Sequence, residues 1–148
     1  MKKLLQVGMA GFLSVGISMA ANAVDSEDAI EYRQAVMTLI KWNMGQMGAM
    51  LKGKIPFDAE AFAKRAANLA VLSQMPLEGF TPGSDQGYTN ADPSIWRNWD
   101  DYNAKMVKFQ QEAAKLAEVA KTATRGEIGS QFVNTAKTCK GCHRVYKR

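Results

Sequence analysis

Residues 101–120 read DYNAKMVKFQQEAAKLAEVA. Tyr102, Met106, Phe109, Ala113, Leu116 and Ala120 recur at steps of four, three, four, three and four, the spacing that lines one face of an α-helix. Lys105, Lys108, Gln111, Glu112 and Lys115 occupy its outer face. One amphipathic helix cannot bury its stripe alone, so this pattern calls for helical neighbours. Gly126 is expected to break the helix before the next segment begins.

The neighbours are present on both sides. Toward the N-terminus, VDSEDAIEYRQAVMTLIKWNMGQMGAMLKGK (24–54) offers Asp25 or Ser26 as a cap and Glu27 and Asp28 in the first turn, where the helix dipole favours acids. Ala29, Tyr32, Val36, Ile40 and Met44 then give a helical stripe, and Gly53 and Pro56 stop it. The next segment, FDAEAFAKRAANLAVLSQM (57–75), starts at an Asp58 cap and carries Phe62, Ala66, Leu69 and Ala70 on one side. After the central helix, Ile128, Phe132, Thr135, Cys139, Cys142 and Tyr146 form a last stripe. Residues 76–96, rich in Gly, Pro, Asp, Asn and Ser, read as a long crossover. No strand period, internal repeat or low-complexity tract competes. The economical architecture is all-α, an antiparallel four-helix bundle over residues 24–148.

The first 23 residues belong to another process. Lys2 and Lys3, an uncharged and mostly apolar run from Leu4 to Ala21, and Ala21-Asn22-Ala23 have the layout of a secretory signal peptide rather than a membrane anchor. No other stretch approaches the ~20 apolar residues of a membrane span. Cleavage after Ala23 leaves 125 of the 148 residues, enough for one core. With Lys2 and Lys3 gone, 17 basic residues face 14 acidic ones, a charge of +3. That excess is too small and scattered to argue for nucleic acid. A periplasmic location is expected.

All the thiol and imidazole chemistry lies in TCKGCHRVYKR (138–148), which holds both cysteines and the one histidine. On a helix Cys139, Cys142 and His143 stand at i, i+3 and i+4 and share a face. Two thiols one turn apart can each add to a haem vinyl, and the adjacent imidazole can then reach the iron, so C-x-x-C-H is the attachment signature of one covalent haem c. A thioredoxin-like redox pair would need a βα surrounding. A structural zinc site needs four ligands, which two Cys and one His do not supply. A C-x-x-C disulfide would close too small a loop to constrain the chain much.

With His143 used, a second histidine ligand is impossible, and no methionine follows it. A distal group must come from upstream: Met37, Met44, Met47, Met50, Met75 or Met106. A peroxidase-like enzyme would need a distal acid–base group, commonly His, so the chain reads as non-enzymatic.

EDAIEYRQAVMTL in the first helix, PFDAEAFAKRAANLAVLSQMPLEGFTPGSD through the second, SIW before the third and KTCKGCHRVYKR at the end together resemble cytochrome c prime, the class II c-type cytochromes. The resemblance implies a homodimer through the first two helices and a high-spin, five-coordinate iron held by His143 alone. It implies a role in electron transfer and/or binding of nitric oxide and carbon monoxide; no redox partner is specified. Arg33 and Gln34 of the Y-R-Q motif become candidates for the haem propionates, with Thr89 a third. Met37, four residues after Arg33, falls over the open face of the iron. Family members include both apolar shields at this position and low-spin relatives in which a first-helix methionine ligates, which would make the protein a six-coordinate His/Met electron carrier. The residues themselves add one argument for dimerisation: Met44, Met47, Met50, Ala63 and Ala67 suggest a wider apolar surface than one buried stripe requires. Trp42, Trp96 and Trp99 read as packing or interface residues.

Overall fold

The structure, a computed structural model, describes residues 25–148; the proposed signal peptide, residues 1–23, lies outside them. Helix α1 (Ser26–Leu51) begins where the Asp25 side chain accepts from the Glu27 amide at 2.9 Å. It runs out at Lys52, and Gly53 adopts a φ of +68°, a left-handed turn that favours glycine. Its buried stripe is Ala29, Ile30, Arg33, Val36, Ile40, Asn43, Met47 and Met50. Tyr32, expected inside, lies at the surface and donates to Glu78 at 2.8 Å, while Arg33 is drawn inside. The stripe is rotated because polar groups from the crossover satisfy the Arg33 side chain, and a buried cation needs such partners. Met47 and Met50 fill the core, so they are not part of the outer apolar surface expected from their spacing.

Helix α2 (Ala59–Leu72) starts where Asp58 accepts from the Ala61 amide at 3.0 Å, as its cap predicts. It buries Phe62, Ala66 and Leu69. The crossover contains two short pieces that the sequence reading did not resolve: a 3₁₀ turn (Pro76–Gly79) and a one-turn helix α3 (Ser94–Arg97). The 3₁₀ turn presses on α1 at Gly79. A Cβ there would sit 2.8 Å from the Ala29 carbonyl oxygen and 2.8 Å from Arg33 Cβ, so only glycine fits.

Helix α4 (Trp99–Thr122) buries all six residues of the opening stripe. Helix α5 (Arg125–Tyr146) follows after two residues. Thr124 and Glu127 close a reciprocal capping box, so Gly126 sits inside the first turn of α5 and breaks nothing. The break comes earlier, at Ala123, whose backbone is extended.

The helices form a bundle in which α4 packs mainly on α2 and α5, and α1 on α2 and the 3₁₀ turn. Phe62, Met47, Leu69 and Leu116 are fully buried at its centre. Each such side chain contributes about 1.5–3 kcal/mol by leaving water. Among the described residues the only extended pairing is an isolated antiparallel bridge, Ala91 with Lys147, and no helix is long and apolar enough to cross a membrane.

Candidate haem-binding site

The last two turns of α5 place Cys139 and Cys142 half-buried on the inner side, with His143 exposed beside them. Both thiols are free. Burial pushes them up, Cys142 to about 11, so they are protonated at neutral pH. Burial and then Lys147 hold His143 below its ordinary value, which favours the neutral imidazole that a metal requires.

The end of α5 is fastened on two sides. Tyr146 donates its hydroxyl to Asp101 at 2.5 Å, and its carbonyl accepts from the Asp92 amide at 2.9 Å. The Arg148 amide donates to the Asn90 carbonyl at 2.9 Å. Crossover residues 90–92 are thereby tied to the chain just beyond His143.

The same crossover wraps Arg33. Its Nη1 donates to the Gly79 carbonyl and Ser84 Oγ, both at 2.7 Å; its Nη2 donates to the Ser84 carbonyl at 2.6 Å and Thr89 Oγ1 at 2.9 Å. The guanidinium lies over the Phe80 ring at 4.7 Å and the Trp96 ring at 5.5 Å. Gln34 Nε2 donates to the Tyr88 carbonyl at 2.9 Å. The three residues assigned to propionates are therefore gathered in one place, where Arg33 and Thr89 bond to each other. Their bonds in this structure are to protein.

Met37 is half-buried against the core. Its level follows from the contacts at the other end of α1. A Cβ on Gly48 would meet Phe132 at 3.4 Å, and one on Gly129 would meet Leu51 at 3.8 Å. The two helices run antiparallel, each residue rising about 1.5 Å. Counting back along α1 and forward along α5 from these contacts at that rise brings Met37 level with His143. Helices α1 and α5 pack only lightly against each other, and their named contacts lie around Gly48, Leu51 and Arg125.

These residues suit a haem. The buried Arg33 cation has no carboxylate within ion-pair distance among the described residues. Thr81 Oγ1, on the same crossover, is buried without a hydrogen-bond partner. Protonated thiols, a neutral imidazole and an uncompensated cation are a donor set for a vinyl-bearing, carboxylate-bearing metal macrocycle. Sequence reading missed Thr81, Ser84 and Phe80, which have no motif of their own. Tyr102 was read as core only; its ring is buried, as read, but its polar end is a group that seeks a hydrogen-bond partner.

Comparison with known proteins agrees. Residues 28–147 match the family model for cytochrome c prime. The chain is 41% identical to the cytochrome c prime of Halomonas halodenitrificans over 133 residues, covering 83% of this chain and 98% of that protein. It is similar in structure to cytochrome c prime from Shewanella frigidimarina, with 54% identity, a TM-score of 0.83, and 86% and 99% of the two chains covered. It also resembles the nitric oxide complex of a leucine-to-alanine variant of cytochrome c prime from Alcaligenes xylosoxidans. There the identity is 31% and the TM-score 0.79, with 85% and 98% of the chains covered.

Proposed function

We propose, from the premise that this chain belongs to the cytochrome c prime family and carries one covalent haem c, that it is a periplasmic electron carrier whose iron also takes nitric oxide or carbon monoxide. The observation that carries this reading is the grouping of Cys139, Cys142 and His143 at the end of α5; the antiparallel register of α1 and α5, extended from Gly48 and Phe132, supports Met37 as the residue level with His143. Haem supplies a one-electron couple and a gas-binding iron. Cys139 and Cys142 hold it by thioether bonds, and neutral His143 offers the single protein ligand. Arg33, Gln34 and Thr89 face its propionates with donor groups. Met37 would offer the bound haem an apolar, flexible side chain, which would discourage water and anions and could swing aside for a small gas. The nitric oxide complex of the Alcaligenes relative supports the gas assignment, and the signal-like residues 1–23 support export.

The protein is proposed to pair as a homodimer through α1 and α2. Leu39 and Trp42 on α1 and Val71 on α2 are 50%, 61% and 61% exposed, and apolar groups so placed favour a covered face.

The test of the iron assignment is the visible spectrum of purified protein in both redox states, with Met37→Ala beside it. A five-coordinate site gives a high-spin spectrum in both proteins and faster carbon monoxide association in the variant. A low-spin ferrous spectrum that turns high-spin in Met37→Ala would make Met37 the sixth ligand and the protein a six-coordinate carrier.

A further inference from the structure

Tyr102 is the most enclosed polar side chain of α4. It is 2% exposed, and its ring is packed by Phe80 at 4.9 Å, Tyr146 at 5.4 Å and Trp99 at 5.9 Å. Phe80 is the ring beneath the Arg33 guanidinium, and Tyr146 stands one turn after Cys142 on α5. The ring of Tyr102 therefore bridges the Arg33 cluster and the haem-attachment helix. No residue among those described hydrogen-bonds its hydroxyl; burial, then Cys142, then Arg33 act on it. The ring is enclosed but the hydroxyl keeps an opening to solvent, so it is free to complete a hydrogen bond with a ligand seated there.

The surroundings say what kind of ligand that is. The buried cation of Arg33 lacks a carboxylate, and the hydroxyl of Thr81 on the same crossover has no partner. Trp96, which donates its indole N–H to the Thr81 carbonyl at 3.0 Å, stacks on the same Phe80 ring at 5.7 Å. Spare donors and an unpaired positive charge gathered around one aromatic pair call for an anion with several acceptor oxygens. We propose that the Tyr102 hydroxyl is a hydrogen-bond donor to a haem propionate carboxylate, acting beside Arg33. This inference rests on the haem reading above and adds a residue to it. It assigns the hydroxyl to the carboxylate and not to the gas at the iron.

Tyr102→Phe in the haem-loaded protein tests it, because phenylalanine keeps the ring and its three aromatic contacts and removes only the oxygen. The propionate bending modes in the resonance Raman spectrum are expected to shift. The reduction potential is expected to fall, since a carboxylate that loses a donor keeps more negative charge and favours the ferric state. The melting temperature of the haem-loaded protein is expected to fall with it. Unchanged propionate modes and potential, or a higher melting temperature, would overturn the proposal. So would a change in the stretching frequencies of iron-bound carbon monoxide with the propionate modes left in place, which would give the hydroxyl to the gas. A haem-stained denaturing gel reads the underlying assignment separately: wild-type protein without covalent haem would overturn the cofactor reading and this inference together, whereas a stained band with silent Raman modes would overturn this inference alone.

Discussion

Tyr146 donates its hydroxyl to Asp101 Oδ2 at 2.5 Å while Lys105 holds Asp101 Oδ1 at 3.2 Å, so the last turn of α5 is bonded to the first turn of α4 through one carboxylate. The Tyr146 bond and then Lys105 hold the Asp101 carboxyl below its ordinary 3.8. A carboxylate with a depressed folded value contributes stability that is present above the unfolded value and is lost as pH falls through the folded one. Melting temperature should therefore decline below about pH 4 in the wild type and decline less steeply in Asp101→Asn, as thermal scans across that range would read. The same bond pushes Tyr146 up to about 12. Its contribution is complete below pH 10 and disappears as pH rises toward 12, so Tyr146→Phe should flatten the alkaline limb as well.

Arg33 holds four acceptors of the crossover by itself. Arg33→Ala leaves two buried carbonyls and the buried Ser84 hydroxyl short of a donor, at about 1–3 kcal/mol for each group that finds no water. Arg33→Lys also loses, because a single ammonium cannot reproduce the planar fork. Urea denaturation should place both variants below wild type with Lys the milder. Limited proteolysis should cut first within residues 80–93, and cleavage elsewhere would count against Arg33 as the tie of the crossover.

Gly79→Ala and Gly45→Ala should move stability in opposite directions. At Gly79 a methyl meets the backbone oxygen of Ala29, which cannot yield cheaply, and overpacking of that kind costs about 1–3 kcal/mol. At Gly45, within α1, a methyl meets nothing within 4 Å. Gly45→Ala should gain about 0.5–1 kcal/mol through helix propensity. Chemical denaturation at one fixed protein concentration compares them.

Trp42→Glu tests the proposed pairing. The side chain is 61% exposed in the single chain and has no role in the core, so the monomer should keep its helicity and its haem. Sedimentation at tens of micromolar, an order-of-magnitude range suited to micromolar dissociation constants, should show wild-type dimer and variant monomer. Wild-type protein sedimenting as a monomer would remove the dimer from the proposal.

Much of this molecule was legible along the chain. Local signals fixed the helices: the stripe from Tyr102 to Ala120, the Asp25 and Asp58 caps, and the i, i+3, i+4 grouping of Cys139, Cys142 and His143 all depend on residues within one or two turns of each other. The bundle followed because four apolar stripes have few ways to bury one another. Only the tertiary structure decided matters set by residues far apart in sequence. Arg33 lies inside α1 and Tyr32 outside because Gly79, Ser84 and Thr89, some fifty positions later, return to satisfy the guanidinium. Gly126 begins a helix because Glu127 and Thr124 cap each other, a local bond the glycine obscured. Met47 and Met50 lie in the core, for the orientation of a long helix is chosen by what packs against it and not by its composition. The antiparallel register of α1 and α5, and the unpartnered hydroxyl of Tyr102 between the Arg33 cluster and the cysteine helix, arise from packing between distant elements, which no periodicity within a single helix can encode.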